Sequence, residues 1–534
     1  MTASRPVFLL ALALLVVLTP AALLPISSYD FFWHLATGRW ITEHHALPLT
    51  DPFATASDRS QWTNGEWLFQ VALYAIRSLL WIGRIRAFCV ALLFALGFFV
   101  ASRKSEWPVA LALTGFAFVG AYDHLDARPS TAAAALLVIG LALLGSGVAD
   151  APVRPDARSD WRTRASAAPD VAFVVLTIVW INVHPSALLA PLLALIVRRV
   201  HWLPVASALA LLVNPFGWNG VIAPLKPTAF ARGGTFVNAE WLPSPAAIFP
   251  LLYVTVVFGV VAFIISSLNG AAAPSPPVRG TAALSRGLGG EGAAAPLRTK
   301  QLSTFIVFAL LAYLAMAHVR NQGLYFAALP LLVAPMVPRN WSHSAVGLLA
   351  LLPIGWAYAN GPHIAGIAAH RFPVVATEVI HAENLQGNIY NPDQFGGYLI
   401  WSFYPPRRVL TDGRNELYHA FIEEYGKARL DSRAWRALLA KYRIDLAVDE
   451  YRPPLDVVNP MNGQHQQAPA SLAYWPRREW ALISYDDVAM VFARRAAFAP
   501  QTINRLEVKG VVPDGPVIPS RRSREATEDG RGIR

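Results

Sequence analysis

The stretch VFLLALALLVVLTPAALLPISSYDFFWHLATGRWI, residues 7–41, decides the fold. Its first half, Val7 to Leu24, carries no charge and is nearly long enough to cross about 30 Å of hydrocarbon as a helix. Polar residues follow directly, beginning with Asp30 and His34. Because the stretch has no small-residue cleavage site of the signal-peptide kind, we predict a retained first membrane span that opens into a polar loop.

The composition extends this prediction to the whole chain. Of the 534 residues, 54% are hydrophobic and only 15% are charged, which is too apolar for an ordinary soluble protein. Further apolar runs occur along the chain, and the pattern stops near Gly361. We therefore predict a polytopic α-helical membrane protein of about eleven spans followed by a soluble C-terminal domain. The expected spans are residues 7–24, 86–101, 108–121, 130–144, 171–183, 187–198, 203–214, 247–267, 303–317, 323–337 and 345–359.

The basic residues predict the orientation. Lys and Arg accumulate in cytoplasmic loops of membrane proteins, so the net charge of +11 reflects topology, and no motif for nucleic acid occurs. Placing Arg103, Lys104 and the arginines of residues 150–170 inside leaves the N-terminus cytoplasmic and residues 25–82 in an external loop. Within this loop the segment from Glu66 to Trp81 is predicted to lie along the membrane surface as an amphipathic helix.

Three regions follow from these patterns. Residues 1–360 form the membrane domain, and they include a Gly/Ala/Pro-rich cytoplasmic loop at 269–300 that is expected to be disordered. Residues 361–500 alternate strand-like and helix-like runs, from GNIYN and QFGGYLIWSF through RRVLTDGR to DLAVDE and a hairpin at 480–494, which predicts an extracytoplasmic α/β domain. Residues 501–534 are expected to be a largely disordered tail. The single cysteine excludes an intramolecular disulfide.

Polar residues that are costly beside hydrocarbon gather in the predicted external loops, which makes these loops the candidate site. They are Asp30, His34, Asp51, Glu66, Asp123, Asp126, Arg128, His184, Glu240, Arg320 and Asn321.

The first candidate group is Asp30 with His34, which lies one helical turn further on the same face. The Asp30 carboxylate could accept a proton or bind a metal ion. The alternative is a helix cap within an interfacial belt of aromatic residues.

The second group is the short turn AYDHLDARPS, where Asp123, His124, Asp126 and Arg128 are crowded together. Two acids three residues apart could share a metal ion or a cationic group. In the alternative interpretation Arg128 pairs with Asp126 in a solvated turn.

The remaining candidates are single residues with structural alternatives of similar weight. Glu66 begins the surface helix, and its charge could act only by stabilising the helix dipole. His184 could act only by forming hydrogen bonds with the backbone of the turn NVHPS. Arg320 and Asn321 follow an apolar run, where an outward-facing cation would suit a phosphate group.

These motifs resemble a known family. The strings DFFWHLATGRWI, NGEWL, ARPS, NVHPS, RNQ and YNPDQFGGYLIW, together with the acid beyond the first span and the second acidic turn, are similar to those of GT-C integral-membrane glycosyltransferases, in particular bacterial family 39 or RgtA/B/C/D-like proteins. The resemblance covers most of the chain. The oligosaccharyltransferase motif WWDYG is absent from the C-terminal domain, which puts glycosylation of peptides in doubt.

The resemblance implies transfer of a sugar from a polyprenyl-phosphate donor to an acceptor on the outer face of a bacterial inner membrane. It assigns Asp30 as general base or metal ligand, Asp123 or Asp126 as the second acid, and Arg320 as a ligand of the donor phosphate. His34, Glu66, Arg128, His184 and Asn321 are the other candidate substrate-binding residues. A divalent metal ion held by Asp30, Asp123 and Asp126 remains open as a cofactor. The expected partners are the lipid-linked donor and membrane lipids, with no nucleic acid.

Two other functions stay open at this stage. A transporter or flippase of a lipid-linked glycan would need charged groups near the bilayer midplane and usually internal repeats. A non-catalytic membrane scaffold would leave the external acids dispersed.

Overall fold

The computed structural model describes residues 4–57, 61–146, 160–198, 202–225, 239–272, 295–341, 343–458 and 465–515. The chain divides into two compact units. Unit 1 comprises residues up to Thr50 together with Gln61–Ala368, and unit 2 comprises Asp51–Ser60 together with the chain from Ala369. The boundary therefore lies eight residues beyond the predicted end at 360, and a piece of the predicted external loop belongs to unit 2.

Unit 1 is a bundle of apolar helices, and every predicted span coincides with helical structure. Its α-helices are Ser4–Ala21, Phe31–His44, Trp67–Ile76, Leu79–Ser102, Trp107–Ala121, Pro129–Ser146, Asp160–Ile181, Ala190–Val197, Trp202–Ala210, Trp218–Ile222, Pro250–Ala272, Ala295–Ala317, Gln322–Val333, Ser344–Leu348 and Leu351–Asn360. Among the residues described, three stretches are long and apolar enough to cross a membrane by length and composition: Leu79–Ser102, Pro250–Asn269 and Lys300–Ala317.

The core of unit 1 is built from side chains of alternating size. Leu18, Phe94, Phe118 and Trp180 are fully or almost fully buried and pack with many buried alanines. Small residues let the helix backbones approach closely, which is the usual packing between membrane helices. Gly120 is an example, because a Cβ atom there would lie 2.3 Å from the ring of Phe326.

The predicted surface helix is shorter than the sequence suggested. The helix Trp67–Ile76 ends before Arg77, whose positive φ of 55° turns the chain. Ser78 then caps the helix Leu79–Ser102 by accepting a hydrogen bond from the backbone of Trp81. The predicted second span at 86–101 is thus the second part of a 24-residue helix.

Unit 2 is an α/β domain. Its main sheet has the order β1-β2-β6-β5, formed by Asn388–Tyr390 (β1), Ile444–Glu450 (β2), Trp480–Tyr485 (β5) and Ala489–Arg494 (β6). The strands β1 and β2 are parallel and the other neighbours antiparallel, while Leu455–Val458 (β3) and His465–Ala468 (β4) form a separate pair. The α-helices are Val374–Ala382, Asp393–Phe403, His419–Ala428, Ser432–Lys441, Ala470–Tyr474 and Pro500–Leu506.

One expectation for this domain is wrong, and the predicted tail begins with a helix. The run RRVLTDGR is not a strand of the sheet, because it makes a single parallel bridge, from Val409 to Ala54 of the segment 51–60. The tail is ordered at its beginning, since Pro500–Leu506 is helical and the backbone of Val508 donates to Leu482. The rest of the tail, 516–534, and most of the loop 269–300, at 273–294, lie outside the described residues.

Candidate functional site

Five short connections between the helices of unit 1 supply the candidate residues. They are the loop after the first helix with Asp30, the turn Tyr122–His124 that leads to Arg128, the turn that contains His184, and two 3₁₀ turns at Ala239–Trp241 and Val319–Asn321. Backbone hydrogen bonds join the last two, because Val319 donates to Leu242 and Ser244 donates to Met316.

Arg128 is the centre of the site. Its Nη2 atom donates to Oδ2 of Asp30 at 2.6 Å and to Oε2 of Glu240 at 3.2 Å, while its Nη1 atom donates to Oε1 of Glu240. The other oxygen of Asp30 accepts from the Trp33 indole at 3.1 Å. Arg128 therefore does not pair with Asp126, and Asp30 does not cap its helix.

The side chains of this ion-pair group are partly open to solvent. Asp30 and Glu240 are 27% and 35% exposed, so a ligand can reach both carboxylates. Burial opposes ionisation of Glu240, but the charge and hydrogen bonds of Arg128 outweigh it and lower the pKa of Glu240 below its ordinary value. Glu240 can thus accept hydrogen bonds at neutral pH.

Arg320 lies beside this group. Its guanidinium stacks over the Trp241 ring, 4.4 Å from the centroid. Burial lowers the pKa of Arg320, and the negative charges of Glu240, Glu66 and Asp30 oppose this effect. Among the described residues no carboxylate lies within 4.0 Å of it, so Arg320 is a cation available to an anionic ligand. Its neighbour Asn321 donates to the backbone of Leu314.

Asp126 is engaged in folding contacts. Its Oδ2 atom accepts from the backbone and hydroxyl of Ser27, both at 2.9 Å, and from the backbone of Ser28. Its Oδ1 atom accepts hydrogen bonds from Arg86 at 3.3 Å and from the backbone N–H of Ala127. Arg86 in turn donates to the carbonyls of Ala22 and Leu24 at the end of the first helix. Asp126 thus fastens the first loop to the second acidic turn.

Asp123, the other acid of that turn, points elsewhere. It is exposed, and within the described part of the chain it has no hydrogen bond or ion pair. The structure therefore brings only Asp30 of the three candidate acids into the Arg128 group.

His34 and Glu66 are next to this group. His34 is buried, its Nδ1 atom is 3.2 Å from the Gln70 amide, and its Nε2 atom is 3.9 Å from Glu66. The helix that Glu66 precedes is tied to the turn at His184, because Trp67 donates to the Asn182 side chain at 2.7 Å. Glu66 therefore reaches the same region as His184 and Arg320.

A small cleft of about 20 Å³ lies in this region. Its polar lining is supplied by His124, Ser130, Thr131, His184, Arg320 and Asn321, and its apolar lining by Leu93, Leu125, Ala134, Leu324 and Ala327. Its polar lining suits an anionic group.

The metal site left open by the sequence does not form. Within the described ranges no group of three or more His, Cys, Asp or Glu side chains is arranged to hold a metal ion. Arg128 forms an ion pair with Asp30, Arg86 forms one with Asp126, and Asp123 is exposed to solvent. The donor set of Asp30, Asp123 and Asp126 therefore does not fit a divalent cation.

The sequence analysis named Glu240 only among the polar residues of the external loops and His124 only as part of the acidic turn, and it did not name Trp241. Glu240 is one external acid among several, and only the bonds between residues 239–244 and 316–319 bring it to Arg128 and Arg320. An available signal was its position in AEWL, where an acid adjoins a tryptophan near the start of a predicted span.

Comparisons with solved structures identify the fold. The apo oligosaccharyltransferase of Archaeoglobus fulgidus aligns with 86% of this chain and 74% of its own, with 11% identity and a TM-score of 0.52. The same enzyme tethered to an acceptor peptide containing the NVT sequon aligns with 86% of this chain and 74% of its own, with 10% identity and a TM-score of 0.50. ArnT from Cupriavidus metallidurans bound to undecaprenyl phosphate aligns with 92% of this chain at 15% identity, but its TM-score of 0.38 is too low to establish a common fold.

Sequence comparisons add nothing to this result, because no protein-family profile and no curated protein matches the chain. The similarity to the oligosaccharyltransferase is therefore one of fold, and it agrees with the motif resemblance described above. The chain thus shares the fold of the Archaeoglobus fulgidus oligosaccharyltransferase, which agrees with the GT-C resemblance of the sequence.

Proposed function

We propose that this protein is a membrane glycosyltransferase that moves a sugar from a polyprenyl-phosphate donor to a hydroxyl of an acceptor on the extracytoplasmic face. The observation that carries the proposal is the Arg128 group, in which two solvent-accessible carboxylates share one guanidinium beside the free cation Arg320. A carboxylate and a cation in one polar site suit a reaction in which one group loses a proton and another leaves with negative charge.

The reaction assigns a role to each side. The acceptor hydroxyl attacks the anomeric carbon, its proton passes to Asp30, and the bond between the sugar and the phosphate breaks with its electron pair on the phosphate. Arg320 neutralises the leaving phosphate. Arg128 is a positioning residue, because it holds Asp30 and Glu240 at a fixed separation.

Asp30 is the preferred general base for a geometric reason. Asp126 has both oxygens occupied by backbone, hydroxyl and guanidinium donors, and Asp123 lies outside the group. Glu240 is the alternative base, since it is as accessible as Asp30.

The partners follow from the donor. A polyprenyl chain would lie in the lipid, with its phosphate at the polar lining of the cleft. We place the protein in a bacterial inner membrane, with a cytoplasmic N-terminus and an extracytoplasmic unit 2.

The test is release of polyprenyl phosphate, which needs no knowledge of the acceptor. Membranes containing the full chain are incubated with a panel of undecaprenyl-phosphate sugars, and undecaprenyl phosphate is measured by mass spectrometry. We expect Asp30→Asn and Arg320→Gln each to slow release by about 100-fold, the usual effect of losing a general base or an anion-stabilising group.

Glu43→Gln is the matched control, because Glu43 is an exposed acid on the helix Phe31–His44, which directly follows Asp30. It should release undecaprenyl phosphate at the wild-type rate. If correctly inserted Asp30→Asn protein releases undecaprenyl phosphate at the wild-type rate, the proposed role of Asp30 as general base is wrong. If the wild type releases none from any donor in the panel, the proposed class of substrate is wrong.

A further inference from the structure

His184 is held in one orientation by its own backbone turn. It precedes the 3₁₀ turn Pro185–Leu189, and its Nδ1 atom accepts a hydrogen bond from the backbone N–H of Ser186 at 3.1 Å. The Ser186 hydroxyl lies 2.9 Å from the same nitrogen and accepts from the Trp180 indole at 3.0 Å. The ring is 9% exposed and has no freedom to flip without losing these contacts.

This contact decides where the ring carries its proton. A backbone N–H can only donate, so Nδ1 must be the acceptor, and the neutral ring carries its hydrogen on Nε2. Full protonation would place a second donor against the Ser186 N–H. Burial, and then the charges of Arg320 and Arg128, lower the pKa of His184 to about 3, so the ring stays neutral across the physiological range.

The Nε2–H has no partner among the described residues, and His184 lines the cleft together with Arg320. His124 lines it too, and burial lowers its pKa, although Asp123 and Glu240 oppose that shift. The guanidinium of Arg320 and the neutral ring of His184 therefore both belong to the polar lining of the cleft.

We propose that His184 donates a hydrogen bond from Nε2 to the phosphate that binds beside Arg320, and that it helps select a phosphate-bearing ligand. This inference rests on the proposed function and gives His184 a defined atom and role. A neutral donor requires an acceptor atom in a defined direction, whereas a cation attracts any anion. It also keeps the site independent of pH, which an imidazolium would not.

The test separates the donor from the turn. In His184→Asn the side-chain oxygen can still accept from the Ser186 N–H, because asparagine is a good capping residue, but the donor at the Nε2 position is lost. In His184→Gln the amide nitrogen reaches the Nε2 position, and the capping contact is weakened. Binding of undecaprenyl phosphate and of inorganic pyrophosphate to the full chain in detergent is measured at several values from pH 5 to pH 8.

We expect His184→Asn to melt like the wild type and to bind both probes about tenfold more weakly, the loss for one hydrogen bond to a charged group. The ratio of wild-type to Asn affinity should be constant over the pH range. Taking the ratio cancels the effect that ionisation of the phosphate probe itself has on both affinities. His184→Gln should recover part of the lost affinity. Weakening of undecaprenyl phosphate binding alone would assign the site to a lipid phosphate, and equal weakening of both probes to any phosphate.

Equal affinities of wild type and His184→Asn for both probes would overturn the inference. So would a ratio that rises below pH 6, because that result indicates an imidazolium. If affinities are equal while Asp30→Asn still abolishes undecaprenyl phosphate release, the inference fails and the proposed function stands. If the wild type binds neither probe, both fail.

Discussion

At the scale of single residues, the acids near the helix ends divide by what they contact. Asp30 shares Arg128 with Glu240 and is accessible, whereas Asp126 is surrounded by donors from the first loop and by Arg86. The pair of Arg86 and Asp126 is little exposed, at 6% and 10% of the two side chains. Removing one member of such a pair leaves the other charge buried and uncompensated.

We therefore expect Asp126→Asn to destabilise unit 1 by about 3 kcal/mol, because it leaves Arg86 without its counter-charge and turns an amide donor toward the donors of Ser27 and Ser28. Thermal unfolding of the purified full chain in detergent measures the effect. Asp123→Asn is the control and should melt like the wild type, since Asp123 is exposed. If Asp126→Asn melts normally but loses undecaprenyl phosphate release, Asp126 takes part in the chemistry, as the family resemblance suggested.

At the scale of elements, the site depends on how two helices of the first loop pack together. The helix Phe31–His44 carries His34 and the helix Trp67–Ile76 carries Gln70, and these two side chains contact each other. Gly38 permits the approach, because a Cβ atom there would lie 2.0 Å from the carbonyl oxygen of Gln70. Backbone cannot move aside as a flexible side chain can.

Gly38→Ala should consequently separate the two helices, although alanine favours a helix by about 1 kcal/mol. We expect a net destabilisation of about 1–3 kcal/mol and faster amide hydrogen exchange across 31–44 and 67–76. Gly65→Ala is the matched control, since no atom lies within 4 Å of a Cβ atom there. Unchanged exchange in Gly38→Ala would mean that the helices tolerate a wider separation and that the close contact is not required.

At the scale of the whole molecule, one short segment of the first loop belongs to the C-terminal unit. Asp51 is buried in unit 2, where its Oδ1 atom accepts from Arg414 at 2.9 Å. Arg414 also pairs with Asp412, which accepts a hydrogen bond from the hydroxyl of Tyr418 at 2.6 Å. The motifs LTDPF and TDGR thus form one buried ion-pair network, although they are far apart in the sequence.

Asp51→Ala should destabilise unit 2 by about 3 kcal/mol, because Arg414 keeps only one of its two carboxylates in a buried position. Hydrogen exchange in the full chain should become faster in β2 and β6 and stay unchanged in the helix Leu79–Ser102 of unit 1. Asp487→Ala, at an exposed acid of the same unit, is the control. Normal protection of β2 and β6 in Asp51→Ala would show that the segment 51–60 contributes little to unit 2.

The sequence by itself determined the helical membrane part and the α/β character of the C-terminal part. Apolar runs of helical length and the change of pattern near Gly361 are local signals, because each segment alone reveals its preference for hydrocarbon or for a sheet. The resemblance to GT-C enzymes agrees with the fold. Local patterns also located the polar connections, but they could not tell a structural acid from an accessible one.

Only the tertiary structure decided which of these residues meet. Arg128 pairs with Glu240 across 112 positions, Asp126 binds the serines of the first loop, Asp51 joins unit 2, and His184 shares a cleft with Arg320. These contacts depend on the packing of helices that are distant in sequence, and a hydrogen bond requires its two atoms to lie within about 3 Å in the correct direction. Spacing along the chain contains no such information, so the accessible acid, the shared guanidinium and the neutral histidine emerge only from the folded molecule.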